Sequence, residues 1–231
     1  MTAFIRVYNV SLELPTDVHK PGGKGYADLR ASLSGSVRYQ TTVLSGINFA
    51  VADGDRVGVM GLNGAGKTTL LRVLNGAFPP TAGVVRTEGT RQSLLNPMLG
   101  FSEYASVAEN IFLRGTAMGL RYRQLKIAAR DILEFAGLAD RAEYPLYSLS
   151  SGQRMRLGFS ISTAVQPDIL LMDEWLSTGD ASFVERAQKR LTDRFDGSRI
   201  AVIASHSTSL LRKTCNKAIV LDKGRMRFFG D

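Results

Sequence analysis

The stretch Gly61-Leu62-Asn63-Gly64-Ala65-Gly66-Lys67-Thr68-Thr69 has the residue types and spacing to bind a chain of phosphates. Backbone N–H groups wrap an anion only where no Cβ intrudes, which explains glycine at 61, 64 and 66. A helix opening at the far end would aim its positive dipole end at the same point. The pattern fits G-x-x-x-x-G-K-S/T, in which Lys67 reaches the β- and γ-phosphates of a nucleoside triphosphate and the Thr68 hydroxyl sits on Mg2+. Asp173-Glu174 ends the apolar run Ile169-Leu170-Leu171-Met172. Asp173 is expected to hold Mg2+ through water, and Glu174, one residue further, to polarise the attacking water as general base. His206, between Ser205 and Ser207, follows the apolar run 200–204 and is expected to contact the γ-phosphate. Lys67, Glu174 and His206 are therefore the catalytic candidates, with Thr68 and Asp173 as metal ligands.

Such groups work together only if strands carry them to one edge of a sheet. Arg56-Val57-Gly58-Val59-Met60 reads as the strand before the loop, and Leu70-Leu71-Arg72-Val73-Leu74 as the helix after it. Residues 4–10, 43–51 and 83–89 also read as strands, and 217–229, broken at Lys223-Gly224, as a hairpin. The runs 169–172 and 200–204 are uniformly apolar, as strands buried on both faces require. Residues 106–118, 122–137 and the stretch after Gly152 read as helices, with Leu125, Ala128, Ala129, Ile132, Leu133 and Ala136 at i, i+3, i+4 spacing. Residues 183–195 and 207–214 are two further helices. Residues 15–42, with Pro15, Pro21 and Gly22-Gly23-Lys24-Gly25, read as a long loop; no helix pattern follows the glycines, and His19 within it is assigned no chemistry.

The chain has 231 residues, 44% hydrophobic and 22% charged, enough for a sizeable core. No apolar run approaches the ~20 residues of a membrane span, and the N-terminal residues lack signal-peptide blocks, so a cytoplasmic location is expected. A single cysteine, Cys215, excludes an internal disulfide and a cysteine metal cluster. The net charge of +8 raises the question of anionic partners. Its basic residues are dispersed, with Arg121, Arg123, Lys126 and Arg130 the nearest to a cluster; a solvated helix face and an anionic membrane leaflet both account for them.

Leu149-Ser150-Ser151-Gly152-Gln153 is a serine- and glycine-bearing helix start, hence a second phosphate-binding element. It resembles the LSGGQ signature of ABC-type ATPases, with Ser151 in place of the first glycine. The loop 61–69, Asp173-Glu174, Ser177-Thr178-Gly179-Asp180 and His206 occur in that family's order and spacing, across nearly the whole chain. The resemblance implies an α/β fold: a P-loop NTPase with a RecA-like core, an antiparallel β subdomain and an inserted α-helical subdomain at about 91–165, all within a single nucleotide-binding domain spanning 1–231. It implies ATP and Mg2+ as ligands and a head-to-tail homodimer in which Ser150, Ser151, Gly152 and Gln153 close over the partner's ATP and Asp180 links the two sites. Integral membrane permease subunits on separate chains should dock on 98–104. No nucleic acid partner is expected.

The ending Gly179-Asp180, Ser205-His206-Ser207, the double serine of the signature and the long 15–42 segment resemble exporters of bacterial polysaccharides of capsule, O-antigen or teichoic-acid type. That implies a peripheral protein on the cytoplasmic face of the bacterial inner membrane. Two positions depart from the family pattern. Pro97 stands where a glutamine usually precedes the helical lobe, with Gln92 several residues early. Leu14 stands near the usual adenine-stacking aromatic, leaving Tyr26 or Tyr39, of which Tyr39 is preferred by its distance from Gly61. An ATPase for another transporter and a soluble ABC ATPase acting on nucleic acid are the alternative readings.

Overall fold

The structure is a computed structural model that describes residues 2–16, 39–95, 98–173 and 181–231. In chain order its elements are β1 (Phe4–Thr16), β2 (Tyr39–Ala52), β3 (Arg56–Met60), α1 (Lys67–Asn75), β4 (Ala82–Glu88), β5 (Arg91–Leu94), α2 (Val107–Ala117), α3 (Tyr122–Ala136), α4 (Ser151–Ser162), β6 (Ile169–Asp173), α5 (Ala181–Gly197), β7 (Ile200–Ala204), α6 (Thr208–Thr214), β8 (Lys217–Asp222) and β9 (Arg225–Gly230).

Two sheets enclose α1. One is antiparallel, in the order β2-β1-β4; the other runs β5-β6-β7-β3-β8-β9, parallel except for β9. Alternation along β6 shows why the larger sheet needs cover on both sides. Ile169 and Leu171 join the layer that also holds Ile5, Leu44, Leu70 and Leu74, whereas Leu170 and Met172 join Phe159, Phe183, Leu191 and Phe195. A separate core of Val107, Ile111, Ile132, Leu146, Leu157 and Ile161 holds α2, α3 and α4 together as a helical lobe.

Two expectations change. β1 and β2 run well past the strands read at 4–10 and 43–51, so Pro15, Thr16 and residues 39–42 are strand rather than loop. Register shifts between Val7, Val10, Leu12 and Glu13 break the two-residue period, while Leu12 stays buried and Leu14 packs against the core. Residues 91–94, placed at the start of the helical block, form β5 and pair with β6; the strand is short, and its one buried residue is the polar Gln92, so its hydrophobic pattern was faint. The glycines 22–25, His19, Tyr26 and Pro97 lie outside the described residues.

Candidate nucleotide site

β3 is buried over Val57–Val59 and delivers the chain into the loop at Gly61. A Cβ on Gly61, where φ is 154°, would run into the Leu221 carbonyl oxygen of β8, so only glycine lets the loop lie against that strand. The loop is closed by Ala65 N–H donating to the Leu62 carbonyl at 3.1 Å and pinned by Gly224 N–H, in the β8–β9 turn, donating to the Ala65 carbonyl at 3.0 Å. Gly66 caps α1 at φ 104°; here a Cβ would stand 3.0 Å from Leu44 Cδ2 and 3.3 Å from the Val43 carbonyl.

α1 starts without a side-chain cap, whereas α2, α4 and α6 open on Ser106, Ser150 and Ser207, each accepting a backbone N–H. No acidic residue occupies its first turn. Its N–H donors and the positive end of its dipole are thus left for an external anion. They face a cavity of about 450 Å3 lined by Asn63, Gly64, Lys67, Thr68, Asp173 and His206, among others.

Within this cavity Lys67, largely buried, donates from Nζ to the Gly61 carbonyl at 2.9 Å and the Leu62 carbonyl at 3.2 Å, and stands 3.3 Å from His206 Nε2. An ammonium has only donors, so this contact is a hydrogen bond only while Nε2 carries no proton. Thr68 Oγ1 donates to Asp173 Oδ2 at 2.5 Å. This hydroxyl–carboxylate pair, two hard oxygens from different elements, is the donor set a Mg2+ ion accepts. Among the described residues no three His, Cys, Asp or Glu side chains form a metal cluster, so such an ion would complete its shell with water and phosphate oxygens.

The structure thus brings Lys67, Thr68, Asp173 and His206 together from α1, the end of β6 and the segment after β7. Glu174 and Asp180 lie outside the described residues. Tyr39 opens β2, the strand that carries Val43 to the cavity, and its side chain is likewise undescribed. Gln92 is buried in β5, with Nε2 3.9 Å from Met118 Sδ, and does not line the cavity.

Ser150, Ser151, Gly152 and Gln153 do not line the cavity either. They form the start of α4, where Ser150 Oγ accepts Gln153 N–H at 3.2 Å and Gln153 Oε1 accepts Ser150 N–H at 2.9 Å. Having accepted, the Ser150 hydroxyl keeps its own proton to donate. Ser150, Ser151 and Gly152 are exposed.

Sequence reasoning missed the residues that brace this helix start against the segment 98–104. Arg154 of α4 bonds Glu103 Oε1 at 2.7 Å, the Tyr147 carbonyl at 3.0 Å and the Leu149 carbonyl at 3.1 Å. Fully buried Asn110 accepts Ser102 N–H at 2.8 Å and donates to the carbonyls of Ser102, Ala105 and Ser106. The Arg114 guanidinium stacks 4.9 Å from the Phe101 ring, and burial pushes its pKa down to about 10. Above these anchors Leu99 and Tyr104 remain 72% and 88% exposed. The only signal in the sequence was three polar residues in amphipathic helices, which by type alone read as surface.

The family model described as ABC transporter matches residues 44–177. The chain is 40% identical over 183 residues to the O-antigen export system ATP-binding protein RfbE of Yersinia enterocolitica, covering 79% of this chain and 77% of that one. It is 36% identical over 187 residues to the teichoic acids export ATP-binding protein TagH of Lactococcus lactis, covering 81% of this chain but 40% of the relative. A solved ATP binding subunit of an ABC transporter superposes with a TM-score of 0.69 at 20% identity, over 98% of this chain and 89% of that one. A dimeric, post-hydrolysis ATP-binding cassette bound to ADP and Pi gives 0.69 at 18% identity over 98% of both chains. At these identities the structural likeness speaks for the fold.

Proposed function

The chain belongs to the ABC transporter family, and from that premise we propose that it is the ATP-hydrolysing subunit of an exporter of lipid-linked polysaccharide. The observation that carries the ATPase reading is the convergence of Lys67, Thr68, Asp173 and His206 on one cavity at an uncapped helix start. The cargo class follows from relatives named for O-antigen and teichoic acid export.

In this reading the loop 61–69 wraps the phosphates and Lys67 turns from the loop carbonyls toward the β- and γ-phosphates. Thr68 and Asp173 hold Mg2+, which would neutralise charge developing on the phosphates. His206, which lines the cavity beside Lys67, contacts the γ-phosphate through a ring N–H. Glu174 acts as general base on water, and Tyr39 stacks on adenine. Because Ser150, Ser151 and Gly152 sit exposed and, with Gln153, outside the cavity, they act on the nucleotide of a second copy, with the Ser150 hydroxyl donating to the γ-phosphate and Asp180 joining the two sites. ATP then bridges the subunits, and loss of the γ-phosphate contacts loosens them. The braced segment 98–104 receives a membrane permease, which keeps the protein on the cytoplasmic face of the membrane.

Glu174→Gln tests this scheme in one preparation. It should bind ATP, stop hydrolysing it and elute as an ATP-dependent dimer by light scattering. Wild-type turnover would remove Glu174 from the role of base, and an ATP-bound monomer would remove the shared site. Co-purification with a candidate polysaccharide-export permease, and ATPase stimulation of that complex by glycolipid, tests the cargo; stimulation by an unrelated substrate would favour another transporter.

A further inference from the structure

Away from the nucleotide cavity, a groove of about 330 Å3 lies between α3 and α5, lined by Phe135, Arg186, Lys189, Arg190, Asp193 and Arg194. Along α5 the arginines recur at i, i+4 and i+8, with Lys189 beside them. Like charges at that spacing lie one above the other and lower helix stability unless something neutralises them.

The protein's own carboxylates do so incompletely. Arg190 donates through Nη2 to Asp131 Oδ1 at 2.9 Å, and its guanidinium carbon lies 3.6 Å from the Phe135 ring centroid. Its Nη1 is buried and has no acceptor among the described residues. Arg194 is committed elsewhere, donating through Nε to the Thr163 carbonyl at the end of α4 at 2.8 Å. Burial lowers its pKa, and the Arg190 charge lowers it further. Arg186 and Lys189 are exposed at the rim, with no hydrogen bond or ion pair among the described residues. The groove's lining thus carries four cations against one carboxylate, Asp193, with Asp131 paired to Arg190 beside it, around a guanidinium nitrogen that has no acceptor among the described residues.

We propose that this groove binds a phosphoryl group, borne by a small phosphorylated molecule or by a lipid headgroup, at a site separate from the nucleotide cavity. A dianionic phosphoryl group matches the residual charge, and planar guanidinium forks suit its oxygens better than those of a monovalent anion. Arg190 Nη1 supplies the buried donor, and Arg186 and Lys189 grip from the rim. The groove exceeds one phosphoryl group in volume, leaving room for part of its carrier. The inference does not rest on the ATPase reading. Its consequence is mechanical: α3 belongs to the helical lobe and α5 packs on the core sheet, so a ligand in the groove ties the two bodies together.

The test is an NMR titration of the full chain with inorganic phosphate, following the Nε–Hε signals of Arg186 and Arg190. These report on the groove alone, so phosphate at Lys67 does not move them. The proposal expects a saturable shift that chloride at equal ionic strength does not reproduce. It also expects affinity to fall by about tenfold or more in the Arg186→Gln, Lys189→Gln double variant, whose two sites are exposed and whose thermal melt should match the parent. A linear shift, one matched by chloride, or one unchanged in the double variant overturns it. Vesicles of phosphatidylcholine with and without phosphatidylglycerol separate the sources. Phosphatidylglycerol-dependent sedimentation lost in the double variant assigns a lipid headgroup, and saturable phosphate binding without sedimentation assigns a soluble molecule.

Discussion

At the scale of single residues, the site depends on side chains that are held ready but held by the protein itself. The Lys67 ammonium donates to two loop carbonyls and stands against His206, and the Thr68 hydroxyl is engaged with Asp173. Phosphate oxygens must displace neutral carbonyls from a cation, an exchange that favours the anion because two opposite charges then meet where the ammonium faced only dipoles. Removing the cation removes that gain. Lys67→Ala should weaken ATP binding by about a hundredfold, the equivalent of ~3 kcal/mol, as read by fluorescent-nucleotide titration; unchanged affinity would refute the phosphate-loop assignment. Serine, threonine, lysine and histidine of this kind were legible in the sequence because their chemistry is tied to spacing. Asn110 and Arg154 were not, because a buried polar residue announces itself only through partners that the fold brings in.

At the scale of elements, β5 and β6 begin at a small lock. Thr90 N–H and Thr90 Oγ1 each lie 2.8 Å from Asp168 Oδ2, and Asp168 N–H donates back to Thr90 Oγ1 at 3.0 Å. The bond from the Thr90 backbone, and then that from its hydroxyl, hold the Asp168 carboxyl below its usual pKa. A depressed folded pKa adds stability that is present above the unfolded value of about 4 and is lost as pH falls through the folded one. Thermal melts should therefore show Asp168→Asn less stable than the parent near neutral pH, with the gap closing in acid. A gap that is constant with pH would mean that the carboxylate charge is irrelevant. The same lock explains why β5 escaped the sequence reading: it is held by pairing and by its threonine, with little hydrophobic pattern of its own. By contrast β6 and β7 could be read directly, since a strand covered on both faces must be apolar throughout. β1 and β2 fell between these cases, apolar enough to be found but irregular enough in register to be cut short.

At the scale of the whole molecule, three cores carry distinct duties. The layer around α1 fixes the loop 61–69, the layer under α5 closes the sheet, and the lobe core holds α4 and the segment 98–104 on one body. Arg154 and Asn110 bond that segment to the start of α4, so under the proposed docking a push at Leu99 or Tyr104 would pass to Ser150 through bonded groups rather than dissipate in a loop. Among the described residues no helix is long and apolar enough to cross a membrane.

The place of β3 in its sheet sets a timetable for synthesis. Its neighbours are β7 and β8, contributed by residues 200–204 and 217–222, and the loop it feeds is pinned by Gly224. As the chain leaves the ribosome, more than a hundred residues follow the phosphate loop before the strands that flank it exist. Long-range pairing of this kind is slow and leaves apolar strands exposed meanwhile. Nascent chains arrested with residues up to 195 outside the exit tunnel should fail to retain ATP, whereas those arrested with residue 230 outside should retain it. Nucleotide binding in the shorter set would show that the loop forms without its sheet. The competence to bind ATP is thus expected late in the synthesis of this domain, once the strands on both sides of β3 have emerged.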